Sequence, residues 1–181
     1  GSWDDYLKRC KADVIFGFFG YNESFAGQEG LEKYRSDLAK FIDHTLGQSY
    51  DGENTARLVL FSSIPYEDLR DDNLPDPALL NPRLALYAQA TANVARAKRV
   101  PYVDLMSPMA AAYDASETPL TINSIHLNEN GNRALAKVID TALFANGPAP
   151  RASAQWQARM RVQILDKNLH WFNRYRATDG Y

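Results

Sequence analysis

Ala12-Asp13-Val14-Ile15-Phe16-Gly17-Phe18-Phe19-Gly20-Tyr21-Asn22-Glu23-Ser24 is the stretch on which the fold turns. Val14 to Phe19 are β-branched, aromatic or small, the composition of a buried strand. Gly20 lets the backbone turn where a bulkier residue would clash. Asn22 then falls just past the carboxyl end of the strand, the edge at which open α/β sheets bind ligands. Asn22 has two readings: a residue that tolerates turn geometry, or a group facing a ligand.

Downstream, Leu31, Tyr34, Leu38, Phe41, Ile42 and Thr45 recur with a period near 3.6, an amphipathic helix stopped at Gly47. His44 on that helix has no partner cluster and reads as a surface or packing residue. After a turn-rich loop, Ala56 to Phe61 is a second, continuously apolar strand, as in a parallel sheet covered on both faces. Residues 64–81 form a long loop whose acids, Glu67, Asp68, Asp71, Asp72 and Asp76, read as a solvated rim; their spacing fits no calcium loop. Asn81-Pro82 predicts a helix start. Val100 to Leu105 predicts a third strand. Strand, helix, strand, helix, strand implies parallel strands joined by right-handed crossovers.

The second informative stretch is Asn123-Ser124-Ile125-His126-Leu127-Asn128-Glu129-Asn130-Gly131. Asn128 caps a helix whose buried face holds Leu135, Val138, Ile139, Ala142 and Leu143. His126 thus stands two residues before a helix N-terminus, either as a catalytic base or as a packing or capping histidine.

Composition narrows the classes. The 181 residues are 45% hydrophobic and 12% aromatic, enough for one globular core with a tail. A net charge of −2 provides no general attraction to nucleic acid or to a membrane surface. Cys10, the single cysteine, forms no internal disulfide and builds no zinc site by itself. No apolar run reaches the roughly 18 residues that a membrane span needs. No phosphate-cradling glycine loop follows a strand, which weakens a nucleotide-binding reading.

Together the two stretches resemble blocks of the SGNH/GDSL hydrolase family of esterases and lipases. Gly20-Tyr21-Asn22-Glu23 is similar to the family's Gly-x-Asn-Asp block, and Asn123 to His126 to its Asp-x-x-His block. More narrowly, the motifs resemble SGNH-type domains of large planctomycete-type proteins over roughly residues 12–145. The resemblance implies a three-layer α/β/α flavodoxin-like parallel sheet and serine esterase chemistry. By that match Asn22 is an oxyanion donor, His126 the general base, and Asn123 stands where the family usually has Asp. Its carbonyl can still accept the ring N–H. Gly20, Tyr21, Glu23 and Ser24 become substrate-binding candidates around Asn22. The implied substrate is a small ester or an acylated carbohydrate, with no cofactor or metal, and the implied compartment is exported, periplasmic or extracellular.

The family's Gly-Asp-Ser block has no counterpart here. Ser62 and Ser63, at the second strand's end, lack the Gly-x-Ser-x-Gly elbow that would expose a nucleophile. The expectation is a domain over residues 1–147, incomplete at its N-terminal side, whose serine comes from the remainder of the same polypeptide or a partner chain. The rival expectation is an inactive module of the same fold, kept for carbohydrate binding or scaffolding. Residues 148–181 read as a helical tail or linker opening at Ser153, with Trp156, Met160, Ile164 and Leu165 packing. It holds six basic residues and two acidic ones, a formal +4 against −6 for the rest. Its aromatics read as a docking face for another domain, with polyanion or sugar binding as the alternative.

Overall fold

The structure, a computed structural model, describes residues 2–145, 147 and 152–176. It falls into two units, residues 1–145 and 146–181.

In the first unit, Ser2 and Asp5 form a reciprocal capping box that opens α1 (Trp3–Cys10). Next come β1 (Val14–Phe18), a 3-10 helical segment (Glu23–Gly30) and α2 (Leu31–Leu46). β2 (Arg57–Phe61), α3 (Pro77–Lys98) and β3 (Tyr102–Val103) follow, then α4 (Met106–Ala115) and α5 (Glu129–Phe144). The strands form one parallel sheet in the order β1-β2-β3, with Phe18 opposite Phe61 and Phe61 opposite Val103. Helices α2 and α3 cover one face, where Leu38, Ile42, Leu58, Leu60, Tyr87 and Ala95 make the main core. On the other face Leu135, Val138, Ile139 and Leu143 of α5 pack on Phe61, Val103 and Leu105. Side chains as fully buried as Ile42, Leu60 and Tyr87 each contribute roughly 1.5–3 kcal/mol.

Three local expectations are corrected. β1 is not buried on both faces: Val14, Phe16 and Phe18 remain 41%, 44% and 51% exposed, because β1 is an edge strand and α5, on that face, packs on Phe61, Val103 and Leu105 of the neighbouring strands and the segment after them. The second helix starts at Asp76-Pro77, not Asn81-Pro82. Asp76 Oδ1 accepts the Ala78 N–H at 2.8 Å, and Pro77 fills the first turn. Asn81 is free for another task, described below, and Pro82 lies inside the helix. Finally, the third strand pairs over two residues only, because Asp104 ends it. Its carboxylate takes the Met106 N–H and the Ser107 hydroxyl, anchoring the start of α4.

His44 pairs with Asp4 at 3.0 Å, joining α2 to α1. Between α2 and α3, the Tyr34 hydroxyl meets Thr91 Oγ1 at 2.6 Å. Burial pushes this phenol up to about 12 from 10. The folded chain therefore holds the proton more tightly than the unfolded one. Stability from this group is complete below pH 10 and is lost as pH rises toward about 12. An alkaline titration by ultraviolet absorbance should show a late-ionising tyrosine that is missing in Tyr34→Phe.

The second unit is α6 (Ala154–Tyr175), capped by Ser153 Oγ on the Trp156 N–H at 3.2 Å. No residue of α6 is buried, so Trp156, Met160, Ile164 and Leu165 are not enclosed by the described residues of the unit. Arg176 lies over the Trp171 ring at 5.4 Å. Arg151 and Asp179 of the tail lie outside the described residues.

Candidate active site

The Asn22 loop follows β1, and the His126 loop joins α4 to α5. After β1 the backbone turns at Gly20, whose φ of +103° is a conformation that L side chains rarely adopt. The turn holds itself together. The Gly20 N–H donates to Glu23 Oε2 at 3.0 Å, and the Ser24 hydroxyl donates to the Tyr21 carbonyl at 2.6 Å. Gly20 and Ser24 are buried, while Asn22 and Glu23 are exposed.

Asn22 itself has ordinary right-handed helical geometry, φ −63° and ψ −38°, and its side chain caps nothing. Any residue can adopt that backbone, and a capping asparagine would be bonded to the helix start. Turn chemistry therefore does not account for an asparagine at this position, and its amide stays outside the turn's own bonding.

The second loop is pinned at its base. Thr121 and Leu127 form a bridge, the Ile122 N–H donates to the His126 carbonyl at 2.8 Å, and the Asn128 N–H donates to the Leu120 carbonyl at 2.9 Å. Asn128 caps α5 through the Gly131 N–H at 3.0 Å and donates its own amide to the Pro119 carbonyl at 2.7 Å. Ser124, buried and left-handed at φ +70°, folds the loop back.

That fold-back brings Asn123 to His126. Asn123 Oδ1 accepts the His126 backbone N–H at 3.0 Å and stands 3.0 Å from the ring Nδ1. The backbone donor fixes which amide atom faces the ring. Facing an oxygen, Nδ1 carries a proton, so in the neutral imidazole the lone pair is on Nε2. A general base needs that tautomer.

Between the two loops lies the segment after β2. The Tyr66 hydroxyl meets that of Tyr21 at 2.6 Å, and the two rings are 5.9 Å apart. Burial, then the Tyr21 bond, pushes the Tyr66 hydroxyl well above the usual tyrosine range. Asn81 holds the Tyr66 backbone by both ends, accepting its N–H at 2.8 Å and donating to its carbonyl at 3.0 Å.

Glu67 corrects the solvated-rim expectation. It is 6% exposed, and its carboxylate accepts the N–H groups of Leu120 and Thr121 at 2.9 and 2.7 Å and the Thr121 hydroxyl at 2.6 Å. Its backbone N–H donates to the Ser124 carbonyl at 2.8 Å. Asp68, Asp71, Asp72 and Asp76 are exposed as expected. Tyr66 and Glu67 thus tie the Asn22 loop and the His126 loop to one piece of backbone. Sequence reading missed this tie. The one available signal was an acid in Ser-Ser-Ile-Pro-Tyr-Glu, directly behind an apolar strand, rather than further out among its acidic neighbours.

Gly131 shows how tightly the His126 loop is seated. A Cβ there would stand 2.0 Å from the Leu120 carbonyl oxygen, a backbone atom that no rotamer change can move. Gly131→Ala should destabilise the unit by about 1–3 kcal/mol, read as a lower denaturation midpoint, and displace Leu120 to His126 in amide chemical shifts.

Ser62 is fully buried; its Oγ accepts the Leu105 N–H at 2.8 Å and lies 3.4 Å from Asp104 Oδ1, which ties β2 to β3. Ser63 Oγ is buried with no partner among the described residues. Among the described residues neither hydroxyl bonds His126, and no His, Cys, Asp and Glu cluster fit for a metal is present.

Comparisons with known proteins bear on the fold that carries these loops. In overall structure the chain is similar to LAE5, an alpha/beta hydrolase enzyme from the metagenome of Lake Arreo, at 18% identity and a TM-score of 0.59, covering 77% of this chain and 63% of that one. It is similar to a protein of Parabacteroides merdae described as a GDSL-like lipase, at 19% identity and a TM-score of 0.60, covering 77% and 64%. It is also similar to Axe2, an acetylxylan esterase from Geobacillus stearothermophilus, at 14% identity and a TM-score of 0.59, covering 78% and 64%. The chain thus spans somewhat less than two thirds of the length of these structures. Among curated proteins, none matches it. The family model described as "GDSL-like Lipase/Acylhydrolase family" matches residues 1–134, and the chain belongs to that family.

Proposed function

We propose that this chain is the base-and-oxyanion part of a serine esterase, with the nucleophilic serine supplied from outside these residues. His126 Nε2 takes the serine proton as the hydroxyl attacks the ester carbonyl. Asn123 holds the ring in the tautomer that permits this. Asn22 donates its amide to the oxyanion that forms, a contribution of roughly 3–4 kcal/mol in the transition state. His126 then returns the proton to the departing alcohol, and water repeats the cycle on the acyl-enzyme. Gly20, Glu23 and Ser24 shape the turn that presents Asn22, and Tyr21 contacts the substrate beside it.

The observation that carries the reading is the Asn123–His126 pair, which selects the Nδ1–H tautomer of the neutral ring, on the loop tied to that of Asn22 through Tyr66 and Glu67. Its substrate class, acyl esters on carbohydrate, is supported by the likeness to an acetylxylan esterase.

Fluorophosphonate labelling of the native full-length polypeptide, with peptide mapping, tests the proposal. A labelled serine outside residues 1–181, lost in His126→Ala, is the expected result. No label on any serine would favour the inactive module.

A further inference from the structure

We infer that Tyr21 and Phe25, with Tyr66 behind them, form a sugar subsite that takes a pyranose ring of the alcohol part of the ester. The inference rests on the preceding proposal for Asn22 and names the part of the substrate that this side of the turn recognises.

Two hydroxyls share one hydrogen bond. Those of Tyr21 and Tyr66 stand 2.6 Å apart, and among the described residues neither has another partner. One proton is spent between them and one is left over. Burial decides which. Tyr66 is 6% exposed, and a buried O–H without an acceptor is costly. Its acceptor among the described residues is the Tyr21 oxygen, so Tyr66 donates. Asn81 holds the Tyr66 backbone at both ends, which keeps that donor in place. Tyr21 is half-buried, and its own proton stays unspent.

That donor stands beside an aromatic ring that the fold does not use. Phe25 lies edge-on to Tyr21 with ring centroids 5.6 Å apart, is 56% exposed, and belongs to neither core cluster. A single exposed apolar side chain needs no explanation. An exposed phenyl ring against a phenol with an unspent proton is a more specific pairing. The face of an aromatic ring is the negative part of its quadrupole and attracts polarised C–H groups, while the phenol donates to an oxygen lone pair. A pyranose meets both demands, with C–H groups on its ring faces and hydroxyl oxygens around its rim.

The rest of the ester leaves this donor unused. In the proposed mechanism the carbonyl oxygen takes the Asn22 amide. A short acyl chain has no further acceptor. The alcohol part supplies one when it is a sugar. Tyr21 directly precedes Asn22 and Phe25 follows three residues later, so one turn carries both the oxyanion donor and the sugar contacts.

Calorimetric titration of the native full-length polypeptide with xylotriose tests the inference, because an unacylated sugar binds without needing a nucleophile. Saturable binding is expected. Tyr21→Phe should weaken it by about fivefold, the worth of one hydrogen bond. Phe25→Ala should weaken it by about fivefold or more. Phe25 is exposed, so its variant should keep the melting midpoint, and its lost affinity then reports contact rather than unfolding. Tyr66→Phe keeps the Tyr21 proton and should weaken binding less than Tyr21→Phe does.

No saturable binding overturns the inference. So does binding that is equal in the unaltered polypeptide, Tyr21→Phe and Phe25→Ala, since the sugar then sits elsewhere. Displacement of xylotriose by methyl butyrate would assign this face to the acyl group and would also overturn it. Labelling remains independent: binding that depends on Tyr21 and Phe25 without a labelled serine keeps the subsite and removes the esterase reading, whereas a labelled serine without such binding does the reverse.

Discussion

His126→Ala in the native full-length polypeptide should lower kcat for a small acetyl ester by roughly 10²–10⁴-fold, the usual contribution of a positioned general base. KM should change little, because the imidazole acts on the serine rather than on the bound substrate. The fold should survive, since His126 is exposed and among the described residues its side chain bonds only to its neighbour Asn123. Equal melting midpoints for the two proteins are the necessary control. Asn22→Ala should also lower kcat with little effect on KM, by roughly 10²–10³-fold for one oxyanion donor. The two losses should not add, because the groups act on one transition state. A His126→Ala variant with full activity would remove this residue from the mechanism.

The partner substitution is informative in the other direction. Asn123→Asp keeps both acceptor contacts and adds a negative charge beside a ring that becomes positive in the transition state. It should raise kcat. Asn123→Leu removes the acceptor, releases the tautomer and should lower kcat toward the His126→Ala level.

Glu67→Ala should have the largest effect on stability. Removing the carboxylate leaves the Leu120 and Thr121 N–H groups and the Thr121 hydroxyl buried without their acceptor. Unpaired buried donors cost about 1–3 kcal/mol each, so a loss of about 3 kcal/mol or more is expected. For a unit of this size that lowers the melting midpoint by roughly 10 °C. Glu67→Gln keeps one acceptor oxygen for Thr121 but turns an amide N–H₂ toward the Leu120 N–H, so its loss should be smaller. In either variant the His126 loop loosens. kcat should therefore fall further than the stability loss alone accounts for at temperatures where both proteins are folded. A Glu67→Ala protein with unchanged melting midpoint and kcat would show that this carboxylate holds neither loop.

Much of the fold was legible because local rules carried it. The α2 periodicity, the Asn128 cap and the apolar runs of β1 and β2 read directly from neighbouring residues, and so did the parallel crossover order. The Asn123–His126 pairing was legible for the same reason, with its partners three residues apart. Where two local signals competed, the reading failed. Asn81-Pro82 and Asp76-Pro77 are both plausible helix starts, and only the demand of the Tyr66 backbone for Asn81 decides between them.

The amino-acid sequence alone determined the element types, the parallel sheet and the two loops that carry Asn22 and His126, because these rest on periodicity, caps and turn residues within a few positions. Only the tertiary structure decided that Glu67 is buried beneath the His126 loop, that Tyr66 meets Tyr21, and that β1 lies at an open edge. Those outcomes depend on partners some 45 to 54 residues apart in the chain and on which strand ends up outermost. An acid in a proline-rich loop has the same local pattern whether water or three well-placed donors surround it, and an apolar strand reads the same whether its outer face is covered or bare.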